Sequence, residues 1–200
     1  MGKSKIIVIE GPNGSGKSTQ VNYVKQLLQS HRYSVKVLAD KNTSVMKALV
    51  DNHLLDQMDV YQKILFYNLC RSENLKSIEH TYDFYLYDRY FPSTFVYQQI
   101  PNSSDDTAYG LHERLENYYK IRPDLIVFLK GSPVNSYNRV VKRDGLERYP
   151  FVAHENICND YLEVKKSAFK YNCVSVDCDR AVAIVSNDIC GHILSLKDNN

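Results

Sequence analysis

Short apolar runs recur at residues 6–9, 35–38, 84–87, 125–129 and 174–176. Each is the length of a strand and almost continuously apolar, the pattern of a strand buried on both faces. The stretches between them carry a helical period. After the first run, Val21, Val24 and Leu28 fall on one helical face. Further helices are predicted over about residues 59–79, 109–120, 134–143, 155–170 and 181–194. Strands alternating with helices predict an α/β architecture, a parallel five-stranded sheet with helices on both faces. PNSSDDT, residues 101–107, reads as a surface loop. No repeat interrupts the pattern, so residues 1–200 are expected to form one domain.

The join between the first strand and the first helix carries the strongest chemistry. Residues 6–20 read IIVIEGPNGSGKSTQ, and Gly11 to Ser18 fit GxxxxGK(S/T). Glycines there permit positive φ and let a phosphate approach the backbone. The N–H groups of Gly14, Ser15, Gly16, Lys17 and Ser18 would wrap the anion at a helix N-terminus. Asn13 and Thr19 complete the ATP-binding candidates. Lys17 would reach the β- and γ-phosphates, and the Ser18 hydroxyl would ligate Mg²⁺. The motif specifies a nucleoside triphosphate, but kinases, ATPases, GTPases and transporter motors share it. The chain has neither the LSGGQ signature of a transporter ATPase nor the NKxD string of a GTPase. A small-molecule kinase with the P-loop NTPase fold is the compact option left, and it needs a second pocket.

Composition excludes several classes. The net charge is +2, with 44% hydrophobic and 24% charged residues. That balance argues against a nucleic-acid polymer as partner. No apolar run approaches the ~20 residues of a membrane span. The first run is too short for a signal peptide and leads straight into the phosphate loop. Ile6 stands where a myristoylation motif requires Ser or Thr. The five cysteines show no CxxC spacing and read as reduced thiols of a cytoplasmic protein.

YLYDRYFPSTFVYQQ, residues 85–99, supplies the second pocket. A strand ends there in Asp88 and Arg89, at the sheet edge where the phosphate loop lies. The acid can hold a magnesium water or a sugar hydroxyl, and the arginine can grip a phosphate through its planar fork. A structural ion pair at a strand end is the plainer alternative. This stretch resembles the DRYxxSxxAYQG motif of the thymidylate kinases, which phosphorylate dTMP to dTDP. LFYNLCR resembles the family's LFxxxR helix, RPDLIVFL its PDL strand and RDGLERYPF its lid. The resemblance spans essentially the whole chain.

That resemblance implies roles. Arg89 would bind the acceptor 5′-phosphate, with Asp88 and Ser18 near the magnesium. Ser93 belongs to the same motif. Thr94 would bond the thymine ring N–H, and Tyr97 would lie under the deoxyribose. Phe66 or Tyr67 would stack on the base, and Arg71 would donate to a base carbonyl. Asp40 and Lys41, in ADKNTS, stand where the family has a phosphate-gripping arginine string, and Asn13 stands where it usually has Asp. The lid, about residues 139–152, offers Arg139, Lys142, Arg143 and Arg148 around Gly145. The phosphate loop has no basic residue between Pro12 and Gly16, so Arg143 and Arg148 are expected to supply the catalytic charge alongside Lys17 and Arg89. ATP, a deoxynucleoside monophosphate, Mg²⁺ and a homodimer follow from the resemblance. A deoxynucleoside kinase using Asp40 as base, or a nucleotide-binding module without turnover, are the alternatives.

Overall fold

The computed structural model describes residues 4–51, 54–98, 107–145, 150–167 and 170–198. Five strands, β1 (Lys5–Glu10), β2 (Val35–Ala39), β3 (Phe84–Asp88), β4 (Leu125–Lys130) and β5 (Cys173–Asp177), form one sheet. All pairings are parallel, in the order β2-β3-β1-β4-β5. This is the α/β P-loop NTPase fold expected from the chain's periodicity and its loop motif.

Alternation along the strands divides the core in two. Ile6, Val8, Tyr85, Tyr87, Ile126 and Phe128 face one side. Ile7, Ile9, Phe84, Leu86, Leu125 and Val127 face the other. The second face is covered by α1 (Lys17–Ser30) through Val21, Val24 and Leu28, and by α8 (Val182–Asp198) through Val185, Ile189 and Ile193. The first is covered by α3 (Val60–Lys76), α4 (Phe91–Tyr97), α5 (Thr107–Tyr119) and α7 (Phe151–Ser167). Each large apolar side chain so buried contributes about 1.5–3 kcal/mol.

Two short helices were not legible as periodic segments, α2 (Ser44–Asp51) and α4. Both are fixed by caps. The Met46 N–H donates to Thr43 Oγ1 at 3.2 Å, and the Ser44 N–H to Glu73 of α3 at 2.8 Å. Glu10, at the end of β1, accepts from the N–H groups of Tyr90 and Ser93 at the start of α4. The start of α3 is set by a reciprocal capping box between Asp59 and Gln62. The expected lid region divides. Residues 139–144 are the last turns of α6 (Pro133–Asp144), Gly145 caps it at φ +81°, and α7 begins at Phe151. Residues 146–149, with Arg148, lie outside the described residues, as do 101–106 of the expected surface loop.

Candidate active site

The sheet register brings the two motifs together. Ile9 pairs with Asp88, so β1 and β3 end side by side, and the Arg89 N–H donates to the Ile9 carbonyl at 3.2 Å. A cleft of about 560 Å³ opens at that edge, within the range of small-ligand sites.

The donor side is the turn after β1. Gly14 and Gly16 have φ of +74° and +87°. At Gly14 a Cβ would lie 2.0 Å from the Ser136 carbonyl oxygen of α6, so only glycine fits. Gly11 is pinned similarly, its virtual Cβ 2.9 Å from the Leu129 carbonyl oxygen. The Ser15 N–H donates to Pro12 O at 3.2 Å and closes the turn. Lys17 donates to Pro12 O at 2.6 Å, with Ser15 Oγ at 3.4 Å. Burial holds Lys17 well below its ordinary pKa, and the nearby Arg89 charge adds to the depression. The nearby carboxylates of Asp88 and Glu10 pull it back upward in part. Ser18 and Thr19 open α1 at the cleft.

Across the cleft from that turn lies the corner after β3. Arg89 turns the chain at φ +71°, a left-handed conformation that costs a non-glycine residue about 1–2 kcal/mol. That turn directs its guanidinium across the cleft. One nitrogen donates to Asn13 Oδ1 of the phosphate loop at 2.6 Å. The other donates to Ser93 Oγ at 3.0 Å and Tyr161 Oη at 3.2 Å. The guanidinium lies over the Tyr97 ring, 5.2 Å from its centroid, and the Tyr97 hydroxyl accepts from the Asn13 N–H at 3.1 Å. Burial opposes the Arg89 charge, but Tyr161, Tyr97 and Glu10 outweigh it and raise its pKa. Glu10 is fully buried; burial pushes its pKa up, while Arg89 and the bonds from Tyr90 and Ser93 favour the carboxylate.

Asp88 links the two sides. Its Oδ2 accepts from Ser18 Oγ at 2.9 Å and from Lys41 at 3.4 Å. Lys41, with 62% of its side chain exposed, reaches in from the end of β2. Behind it, Arg71 is 1% exposed and donates to Thr94 Oγ1 at 2.9 Å, Asp40 at 3.3 Å and Asn68 at 3.3 Å. Its Nε is a buried donor with no partner, at the wall of the cleft. Asp40 also accepts from Tyr87 at 2.7 Å and Asn74 at 3.1 Å. Burial pushes its pKa up, and the Arg71 charge offsets part of that.

Most of the residues singled out from the sequence therefore meet in one cleft. Asp40 enters it as the anchor of Arg71, engaged by three donors. Phe66 is a correction. It packs with Met46 and Cys70 in a small satellite core, because its position on α3 faces α2, while Tyr67 lines the cleft. Arg143 reaches the rim with its guanidinium forked onto Asp144 at 2.7 and 2.6 Å. Arg139, not chosen among the lid cations, donates to Gly14 O of the loop at 3.3 Å and to Asp179 at 2.8 Å. Met46, Gln98 and Tyr161 were also missed. For Tyr161 the available signal was its helical spacing with His154 and Cys158 on α7.

A model of the thymidylate kinase family matches residues 9–189. The chain belongs to the thymidylate kinase family. Relatives agree along most of their length. The thymidylate kinase of Caldicellulosiruptor saccharolyticus is 32% identical over 191 residues, covering 90% of this chain and 91% of that protein. That of Tropheryma whipplei is 28% identical, covering 79% and 80%. That of a Thermoanaerobacter species is 24% identical, covering 94% and 96%. Membership makes this thymidylate kinase homologue a nucleoside monophosphate kinase with ATP as co-substrate.

Proposed function

We propose that this chain transfers the γ-phosphoryl group of ATP to the 5′-phosphate of dTMP, giving dTDP and ADP for dTTP synthesis. The observation that carries the reading is the Arg89 guanidinium inside the cleft, 2.6 Å from Asn13 of the phosphate loop. One cationic group holds the donor phosphates and another faces it from the acceptor side. Catalysis of phosphoryl transfer rests mainly on such positioning and on cations around the moving group. The acceptor phosphate is already anionic near neutral pH, so no general base is needed. Asp40, which a deoxynucleoside kinase would use as that base, is held by Arg71, Tyr87 and Asn74.

The residue roles follow. Lys17 neutralises the β- and γ-phosphates and Arg89 orients the acceptor phosphate, with Lys41 as an added point charge. Tyr67 and Tyr97 flank the base and sugar, and Arg71 with Thr94 reads the base edge. Arg139, Arg143 and Arg148 supply positive charge from the lid. Among the described residues no group of three or more His, Cys, Asp or Glu side chains could hold a metal alone. Ser18 and Asp88, 2.9 Å apart, are hard oxygen donors that fit Mg²⁺ completed by nucleotide phosphates and water. When bound, that ion would neutralise charge on the phosphate oxygens.

No helix among the described residues is long and apolar enough to cross a membrane. The cysteines are all free, in keeping with a reducing cytoplasm. The homodimer is supported by α3, where Tyr61, Leu65 and Leu69 lie 49%, 57% and 54% exposed along one face. Sedimentation at micromolar concentration is expected to read a dimer, and a monomer contradicts that assignment. The reaction itself is tested by product analysis over dTMP, dUMP, dGMP and dCMP. Formation of dTDP as the favoured product is expected; failure to convert any of the four sinks the reading.

A further inference from the structure

α7 touches the Arg89 side directly and reaches the phosphate loop through Ser136 of α6, both from one face. His154, Cys158 and Tyr161 recur on it at helical spacing, all buried. His154 Nε2 is 2.8 Å from Ser136 Oγ, and the carbonyl of Ser136 is the atom against which Gly14 of the donor loop is pressed. Tyr161 Oη accepts from Arg89 at 3.2 Å and lies 2.7 Å from Ser93 Oγ. A buried helix face needs only apolar groups to pack, and polar ones cost free energy unless paired. These are paired to the machinery.

The hydrogen bonds at Tyr161 have a defined direction. Arginine is donor-only and a carboxylate acceptor-only. Arg89 therefore donates to Tyr161, the Tyr161 hydroxyl donates to Ser93 Oγ, and Ser93 donates to Glu10 Oε2 at 2.7 Å. The chain runs from Arg89 into Glu10, buried at the end of β1. Arg89 is thus held on three sides, by Asn13, Ser93 and Tyr161. In-line transfer tolerates little misplacement of the reacting atoms.

We infer that α7 is a strut fixing the separation of the two phosphates, with Tyr161 the positioning residue for Arg89 and His154 the positioning residue for the donor loop. The inference rests on the assignment of Arg89 to the acceptor phosphate. It is tested by calorimetric binding of dTMP, thymidine and ATP to Tyr161→Phe, which removes one oxygen and keeps the ring. Binding of dTMP should weaken about tenfold, the loss of one bond to a charged group. Thymidine and ATP should bind as before, and kcat should fall. In the second arm, His154→Leu should weaken ATP alone and His154→Gln should restore it.

Equal weakening of dTMP and thymidine in Tyr161→Phe, or no change in either, overturns the inference. So does His154→Leu acting on both substrates alike. Wild-type protein that binds dTMP no tighter than thymidine overturns the acceptor-phosphate assignment itself, and the strut with it; the wild-type and variant readouts keep the two failures apart.

Discussion

Arg89 does the most with the least freedom. Its backbone sits at φ +71° and its guanidinium is held from three elements before any substrate arrives. Such preorganisation lowers the ordering cost when a phosphate binds. Replacing Arg89 by Ala should weaken dTMP binding by about 2–4 kcal/mol, because a buried anion loses its charged partner. Unchanged dTMP affinity in a titration of that variant would remove Arg89 from the pocket. The residue was legible because its motif is local: Asp88, Arg89, Ser93, Thr94 and Tyr97 lie within one strand-to-helix corner. Tyr161 was not, because its contact with Arg89 spans 72 residues and exists only once α7 packs over α4. Phe66 and Tyr67 show the same limit in miniature. Adjacent aromatics on a helix point about a quarter turn apart, and only the packing of α2 decides which is core.

At the scale of elements, the long periodic segments declared themselves and the short ones did not. All five strands were evident as apolar runs; the central strands β1, β3 and β4 are buried on both faces, and the edge strands β2 and β5 stayed legible although the run of each carries one polar position, Lys36 and Ser175. α2 and α4 are too short for periodicity to register. Thr43 caps α2 locally through Met46, three residues on, while Glu73 and Glu10 fix the starts of α2 and α4 from positions remote in sequence. The contact between the phosphate loop and α6 was likewise invisible, yet it fixes the donor side. Gly14→Ala must adopt φ +74° and push against a backbone oxygen 2.0 Å away. The conformation alone should cost about 1–2 kcal/mol. Thermal unfolding should show a lower Tm, and ATP affinity should fall with it as α6 is displaced. Wild-type stability in this variant would show that α6 does not press on the loop.

The whole molecule carries a pH dependence written by α5. His112 is buried against Glu116, 3.0 Å away, and stacked on Phe91 with centroids 4.4 Å apart. Burial lowers its pKa to about 4, although Glu116 pulls it upward. The unfolded chain regains an ordinary histidine near pH 6.5. Between these values the unfolded state binds the proton and the folded state does not, so stability falls as pH drops from about 6.5 toward 4. The loss attributable to this group is up to about 3 kcal/mol. His112→Gln takes up no proton, so its Tm should decline less steeply across that window; parallel curves for the two proteins would refute the assignment.

On the same scale, the sheet order and the register of β1 against β3 set the phosphate loop and the Asp88-Arg89 corner side by side, and the proposed acceptor phosphate depends on that arrangement. The most direct test is ADP release from ATP with dTMP or with thymidine as the sole acceptor. The account predicts rapid release with dTMP and background with thymidine. Turnover with thymidine and none with dTMP would contradict it.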